Sequence, residues 1–279
     1  MKAGPATLPA REAPVGIFDS GVGGLSVMRE IRRLLPGEHL LYIADSAYAP
    51  YGPRPVDFIR ERAAGLTAFL AEQGAKAVVV ACNTATAAAV GELRRSFSLP
   101  IIAMEPAVKP AAAVSRCGVL GVLATEGTLK SAQFAALLSR YARNLRVVTQ
   151  SCHGLVEQVE RGALAAEETR LLLRRYTAPL LAEGADTIIL GCTHYPFLRP
   201  QLADLLGPTV ALVDTGEAVA RQLARRLDEL ALLSTRETGT CRFWSSGDTA
   251  RLAPVMGRLW GEALALQPLR LSTALAVTP

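Results

Sequence analysis

Two stretches of the sequence share one pattern: VVVACNTAT at residues 78–86 and IILGCTHYP at residues 188–196. In each, an apolar run typical of a β-strand leads to a cysteine, and polar residues follow at once. Continuous apolar runs are typical of parallel strands that are buried on both faces. The carboxyl ends of such strands form the edge where open α/β sheets bind ligands. The pattern therefore predicts an α/β fold that presents Cys82 and Cys192 at ligand-binding edges.

The two stretches belong to a longer internal duplication. Three pairs of polar residues at the ends of apolar runs have similar separations: Cys82 and Cys192 (110 residues), Asp19 and Thr125 (106 residues), and Glu105 and Asp214 (109 residues). This period is far longer than that of solenoid repeats, so we expect two similar domains. Two thiols from matched domains can face one carbon atom from opposite sides, as inversion of a stereocentre by two bases requires.

The composition is that of a globular chain long enough for two modest domains. Of its 279 residues, 50% are hydrophobic and 20% are charged. No apolar stretch is long enough to span a bilayer, and the first residues lack the apolar region of a signal peptide. Five cysteines, an odd number, indicate a reducing compartment, so we expect a cytoplasmic protein without disulfides.

The positive charge does not predict a nucleic-acid site. The formal net charge is +5, and all but four of the 30 basic residues are arginine. These arginines lie in helix-like segments beside acidic residues and leucines, as on solvated helix faces. No segment alternates aromatic with basic residues, and aromatic residues make up only 5% of the chain. We therefore expect neither a dedicated nucleic-acid site nor a membrane partner.

Apolar runs alternate with amphipathic segments, as in parallel sheets with helical crossovers. Strands are predicted at 15–18, 39–44, 76–81, 100–103, 118–123, 145–149, 186–190, 210–213 and 241–245. Helices are predicted at 24–35, 55–73, 85–97, 128–141, 166–183, 198–206, 215–232 and 249–264. The predicted fold has two similar domains, each a mainly parallel sheet flanked by helices, with the active site in the cleft between them. The predicted boundaries are a disordered tail at 1–13, a first domain at 14–108 plus 216–273, and a second at 109–215.

The segment DSGVGG at residues 19–24 follows a strand and precedes a helix. Its amides and the helix N-terminus can bind an anion. A dinucleotide fingerprint is excluded because Ser26 stands where a glycine is required, and the lysine of a P-loop is absent. A tight turn in which Asp19 or Ser20 caps the helix explains the segment equally well, so both interpretations stay open.

A second loop, at Pro50, Tyr51 and Gly52, follows another predicted strand. Its backbone amides and its phenol can hold a carboxylate. The alternative is an ordinary surface turn, which the segment alone does not exclude.

Free cysteines often behave as small buried hydrophobic residues, and Cys117 and Cys241 fit that description. Cys82 and Cys192 differ because polar residues that packing does not explain follow each of them. A helix that begins just downstream also helps to stabilise a thiolate. We therefore interpret these two cysteines as functional.

Only three histidines are present, and His194 lies two residues from Cys192. The Cys152-His153 and Cys192-Thr-His194 pairs lack the ligand spacing of a zinc site, so we expect no metal centre. Glu157 begins a helical segment, where an acidic residue is also favourable without any catalytic role.

Taken together, these motifs resemble those of the glutamate racemases, within the aspartate/glutamate racemase family. The resemblance rests on residues 18–27, 45–52, 81–85, 124–128, 154–157 and 191–196, with a further match at 246–248. Aspartate racemases resemble the chain in their cysteine pair but usually carry a carboxylate at the position of His194, which favours glutamate as substrate.

The resemblance implies a cofactor-independent isomerase that interconverts L- and D-glutamate by a two-cysteine, two-base mechanism. That activity would supply D-glutamate for peptidoglycan synthesis, and the family typically forms homodimers. The implied catalytic residues are Cys82, Cys192, Asp19, His194 and Glu157. The implied substrate-binding residues are Asp19, Ser20, Pro50, Tyr51, Gly52, Asn83, Thr84, Thr125, Thr128, Thr193 and His194.

Three other functions stay open from the sequence. The first is a two-cysteine racemase that acts on aspartate or a related acid. The second is a binding or regulatory protein that keeps the fold, and the third is a hydrolase with a cysteine nucleophile. The hydrolase would form an acyl-enzyme and would need only one of the two cysteines.

Overall fold

The structure is a computed structural model that describes residues 11–271. Its larger sheet contains six parallel strands in the order β10-β9-β2-β1-β3-β4. These strands are β1 (Val15–Asp19), β2 (Leu40–Ala44), β3 (Ala77–Val80), β4 (Ile101–Ala103), β9 (Cys241–Ser245) and β10 (Leu266–Pro268). All residues of β1, β2 and β3 are buried, because helices cover both faces of the sheet.

The smaller sheet contains four parallel strands in the order β6-β5-β7-β8. These strands are β5 (Val119–Ala124), β6 (Arg146–Ser151), β7 (Thr187–Leu190) and β8 (Ala211–Val213). The predicted α/β class, with two parallel sheets flanked by helices, is therefore confirmed. Each of the nine predicted strands is found within two residues of its predicted bounds.

Eleven α-helices and one short 3-10 helix, at Tyr195–Leu198, are found within residues 11–271. They are α1 (Leu25–Leu34), α2 (Val56–Glu72), α3 (Asn83–Ser96), α4 (Val108–Val114), α5 (Glu126–Leu129), α6 (Ala132–Tyr141), α7 (Leu155–Glu160), α8 (Glu167–Ala182), α9 (Arg199–Leu206), α10 (Gly216–Glu229) and α11 (Thr249–Trp260). No helix in this part of the chain is long and apolar enough to cross a membrane.

The single helix predicted at 128–141 is wrong, since two helices occupy this region. Thr125 caps α5 by accepting a hydrogen bond from the amide of Thr128, and Ser131 caps α6 through the amide of Phe134. Side-chain caps of this kind satisfy the amides that begin a helix, so the second cap starts a new helix only a few residues after the first. The sequence analysis also missed α4 and the short strand β10.

The carboxyl-terminal segment joins the larger sheet, where β9 pairs with β2 and β10 pairs with β9. Most of the predicted tail, residues 1–10, lies outside the described residues. Glu12 is described, and its carboxylate accepts hydrogen bonds from Ser234, Thr235 and Arg236. The predicted domain boundaries stay a prediction.

Candidate active site

A small cavity lies where the carboxyl ends of the two sheets meet. Cys82 follows β3 of the larger sheet, and Cys192 follows β7 of the smaller sheet. Both cysteines line this cavity, as do ten of the eleven predicted substrate-binding residues: Ser20, Pro50, Tyr51, Gly52, Asn83, Thr84, Thr125, Thr128, Thr193 and His194. The remaining one, Asp19, lies behind the lining. The fold thus gathers residues that are more than 170 positions apart in the sequence.

Cys82 is the N-cap residue of α3, and its thiol is buried. The amide of Ala85 donates to Sγ over 3.5 Å, and the thiol donates to Oγ of Ser20 over 3.6 Å. Burial raises the pKa of Cys82, and the nearby carboxylate of Asp19 raises it further. Without a bound cation, the protonated thiol is therefore the favoured form of Cys82.

Asp19 is fully buried and connects the two halves of the site. Its carboxylate accepts hydrogen bonds from the amide of Ser20 (2.7 Å), the amide of Gly24 (2.6 Å) and the hydroxyl of Thr193 (3.2 Å). Burial raises the pKa of Asp19. Asp19 therefore holds the turn that precedes α1 and also lies beside the cavity, and the amides of Ser20 and Gly24 bind its carboxylate.

His194 connects Cys192 to a carboxylate that the sequence analysis did not single out. Its Nδ1 lies 3.6 Å from Sγ of Cys192, and its Nε2 lies 2.6 Å from Oε1 of Glu160. Burial disfavours the charged imidazolium, but the hydrogen bonds to Cys192 and Glu160 outweigh this cost and raise the pKa of His194. A positive charge on His194 would then lie directly against the sulfur of Cys192.

The carboxylate at this position is Glu160, whereas Glu157 was predicted for a catalytic role. Both lie on α7, but Glu157 lines a separate small cavity that contains neither cysteine of the pair. Glu160 is one helical turn later, and its oxygens also accept hydrogen bonds from the amide of Val22 (2.7 Å) and the hydroxyl of Ser46 (2.9 Å). The sequence offered no local signal to choose between two acidic residues three positions apart.

Asn83 gives the clearest indication that the cavity binds a ligand. Its side chain is 5% exposed, and neither its Oδ1 nor its Nδ2 has a hydrogen-bond partner within residues 11–271. An amide buried in this way is costly unless a partner arrives, since buried polar groups are otherwise almost always hydrogen-bonded. Because Asn83 lines the cavity, a bound polar ligand is the natural partner.

Three threonines form a second connection between the two halves in the cavity lining. Oγ1 of Thr84, at the start of α3, lies 2.9 Å from Oγ1 of Thr125 and 3.4 Å from that of Thr128. Thr125 and Thr128 are themselves 3.0 Å apart. Hydroxyl groups can both donate and accept, so this cluster can reorganise to receive a carboxylate.

The loop at Pro50, Tyr51 and Gly52 borders the cavity, and its phenol already has a partner within the protein. The single O–H of Tyr51 donates to Oδ2 of Asp45 over 2.6 Å. Burial and the charge of Asp45 both raise the pKa of Tyr51, so the phenol keeps that proton. Only the backbone amides of the loop are left as donors to a substrate. Asp45 and its partner Arg62 were not predicted as site residues.

Comparison with known proteins identifies the family. The model for the Asp/Glu/hydantoin racemase family matches residues 15–223. The chain belongs to this family. A glutamate racemase from Ectopseudomonas mendocina is 62% identical over 252 residues, covering 90% of this chain and 96% of that protein. A glutamate racemase from Pseudomonas aeruginosa PAO1 is 56% identical over 256 residues, covering 91% and 97%.

Solved structures agree with this assignment. The glutamate racemase isoform RacE1 from Bacillus anthracis superimposes with a TM-score of 0.86 at 33% identity, covering 94% of this chain and 98% of that chain. The Escherichia coli glutamate racemase, in complex with L-glutamate and the activator UDP-MurNAc-ala, superimposes with a TM-score of 0.83 at 33% identity, covering 93% and 99%. The predicted resemblance to glutamate racemases is confirmed, and the chain is a racemase, an isomerase.

Proposed function

We propose that this racemase interconverts L- and D-glutamate, with Cys82 and Cys192 as its two bases and without a cofactor. The observation that carries the proposal is the placement of two thiols, delivered by strands of two different sheets, on one small cavity. The 62% identity to a protein named glutamate racemase supports glutamate as the substrate.

The polar groups of the cavity suggest how glutamate binds. Its ammonium group would lie near Asp19, because a cation there offsets the cost of burying that carboxylate. The amide of Asn83, which has no hydrogen-bond partner within residues 11–271, is suited to the α-carboxylate. The side-chain carboxylate would reach the amides of Tyr51 and Gly52 and the hydroxyls of Thr84 and Thr125.

For L-glutamate, we propose that the thiolate of Cys192 removes the α-proton. The electron pair of the broken C–H bond is left on Cα and is delocalised into the α-carboxylate. The thiol of Cys82 then donates its proton to the opposite face, which forms D-glutamate and leaves Cys82 as the thiolate. For D-glutamate the two thiols exchange roles. After each turnover of L-glutamate, a proton passes from Cys192 back to Cys82 and restores the starting state.

The electrostatics of the site support this assignment of the starting state. Burial and Asp19 favour the thiol form of Cys82, whereas the raised pKa of His194 favours an imidazolium beside Cys192. Glu160 fixes the ring and balances its charge, much as the third member of a catalytic triad orients its histidine. We therefore assign this supporting role to Glu160, whereas the resemblance implied a catalytic role for Glu157.

A wider role follows from the same proposal. D-glutamate made by this enzyme would enter peptidoglycan synthesis in the cytoplasm. The related Escherichia coli enzyme, whose structure contains UDP-MurNAc-ala as an activator, supports that link. A homodimeric assembly stays a prediction.

Deuterium incorporation tests the two-base mechanism. When L-glutamate reacts in D2O without added cofactor, early D-glutamate should carry deuterium at Cα while the recovered L-glutamate stays protonated. A single base that serves both faces would instead label both enantiomers. Proton NMR after chiral separation distinguishes the two results.

Substitution of each thiol tests the assignment of the bases. Cys82→Ser and Cys192→Ser should each lower racemisation by at least about a thousandfold, because a serine hydroxyl is a far weaker acid than a thiol. Cys117 is exposed, so its prediction as a buried residue was wrong, and Cys117→Ser is the matched control that should keep full activity. Near-normal turnover in either active-site variant would refute the mechanism.

A further inference from the structure

A buried carboxylate lies directly behind the substrate loop. Asp45 follows β2, its side chain is fully buried, and it does not line the cavity. It accepts three charge-assisted hydrogen bonds: Nε of Arg62 at 2.9 Å, Nη2 of Arg62 at 2.5 Å and the phenol of Tyr51 at 2.6 Å. A buried carboxylate needs such partners, because an unpaired charge in the interior is strongly destabilising.

Arg62 is held in place on two sides. It lies on α2, and its side chain is 16% exposed. Two of its nitrogens bind Asp45 in the bidentate manner that only a guanidinium allows, and its Cζ lies 4.2 Å from the ring centre of Tyr48. Stacking and bidentate pairing together leave the guanidinium little freedom, so Arg62 fixes the position of Asp45.

Tyr51 links the position of Asp45 to the cavity wall. Its ring is almost completely buried and forms part of the cavity wall, and its one hydrogen is donated to Asp45. The same loop is tied at its start, where the amide of Asp45 donates to the carbonyl of Asp19 and the amide of Tyr48 donates to that of Asp45. The orientation of the loop therefore depends on the Asp45 carboxylate.

We propose that Arg62 is a positioning residue for substrate binding, which acts through Asp45 on Tyr51 and so on the loop that receives the side-chain carboxylate of glutamate. This inference rests on the proposed function. Arg62 touches neither the thiols nor the cavity, so it should affect the binding of substrate much more than the proton transfers at Cα.

Steady-state kinetics with D-glutamate test the proposal in four variants. Arg62→Lys keeps the charge but loses the bidentate pairing, and it should raise KM about tenfold while kcat changes by less than about threefold. Tyr51→Phe removes only the hydroxyl and should raise KM to a similar extent. In the double variant the effects should not multiply, because both substitutions break the same chain of contacts.

The fourth variant, Arg60→Lys, is the matched control. Arg60 lies two residues earlier on α2, is 46% exposed and pairs with Asp57 at 3.1 Å, so its KM should equal that of the wild type. Thermal unfolding of each variant shows whether it folds. If Arg62→Lys does not fold, the KM of Tyr51→Phe decides the matter alone.

Three results would overturn the proposal: an unchanged KM in Arg62→Lys, an unchanged KM in Tyr51→Phe, or KM increases that multiply in the double variant. A fall in kcat at constant KM would also overturn it, since it would place Arg62 in the chemistry. These failures are distinct from failure of the proposed function, which would appear as a wild-type protein that does not racemise glutamate.

Discussion

The imidazole of His194 is held between a sulfur and a carboxylate, and each contact has a separate consequence. Glu160 binds Nε2 and thereby leaves Nδ1 directed at Cys192. Loss of the Glu160 charge removes one of the two contacts that raise the pKa of His194. The imidazolium is then less favoured, and its orientation is held less firmly.

Glu160→Gln should therefore reduce kcat/KM for L-glutamate by about ten- to a hundredfold, because the amide preserves shape but not charge. The loss should be larger at high pH, because His194 in the variant has a lower pKa than in the wild type and is therefore neutral there. Racemisation followed by circular dichroism across a pH series measures both effects.

Glu157→Gln provides the matched control, on the same helix and one turn away. We expect its activity to stay within about threefold of the wild type, since Glu157 lines a different cavity. If Glu157→Gln were the damaging substitution and Glu160→Gln the mild one, the assignment of the carboxylate would have to be reversed.

The raised pKa of His194 also makes a prediction about stability. A group whose pKa is higher in the folded state stabilises the fold fully below its unfolded pKa, which is 6.5 for histidine. That contribution is lost as the pH rises through the folded pKa. The free energy of unfolding of the wild type, relative to His194→Gln, should therefore fall as the pH rises from about 6.5 through the raised folded pKa of His194.

Urea denaturation at several pH values provides this measurement. Repeating it in the Cys192→Ser background removes the titration of the neighbouring thiol and isolates the pair with Glu160. A difference that stays constant or grows with pH would show that His194 is not protonated preferentially in the folded state.

At the scale of structural elements, the turn between β1 and α1 is shaped by the groups that approach it. A Cβ atom on Gly21 would overlap the carboxylate of Glu160, and one on Gly23 would overlap the ring of His194. Neither glycine has a positive φ, so lack of space rather than backbone conformation excludes a side chain here. The glycines allow α7 and the loop after β7 to approach the turn closely.

Gly23→Ala should displace His194 and reduce kcat by about a hundredfold, because small displacements of catalytic groups are costly. Gly91→Ala is the control within α3, where the added methyl group meets only the flexible end of Arg95 at 3.7 Å. That change should preserve activity and stabilise the protein by about 0.5 to 1 kcal/mol. Equal activity in both variants would contradict the close-packing argument.

At the scale of the whole molecule, the cavity couples the two halves. Asp19 contacts Thr193, and Thr84 contacts Thr125, so groups from both sheets surround the same space. A ligand that bridges them stabilises the folded state by mass action. At a glutamate concentration about 100 times Kd, the gain is about 2.7 kcal/mol.

Differential scanning calorimetry should therefore show that D-glutamate raises Tm by several degrees. Asn83→Ala should reduce this increase, since the variant lacks the buried amide that has no other partner within residues 11–271. L-alanine, which has no side-chain carboxylate, is the matched ligand control and should shift Tm much less. Equal shifts with the two ligands would argue against recognition of the side chain.

The strands and the residues at their ends could be predicted from local sequence alone. Runs such as residues 78–81 are apolar at every position, and burial on both faces of a parallel sheet requires this. Their strand ends are therefore readable from local pattern, as are Cys82 and Cys192 beyond them. The repeat of that pattern also indicated that two sheets would each deliver one thiol.

The distant groups that support those thiols could be identified only in the folded protein. Glu160 meets Val22 across 138 positions of sequence, and Arg62 meets Asp45 from a different element. Two acidic residues one helical turn apart look alike in sequence, because local pattern shows which residues are polar but not which one has a buried partner. The packing of helices against loops sets that choice, since a buried charge is tolerated only where a partner meets it.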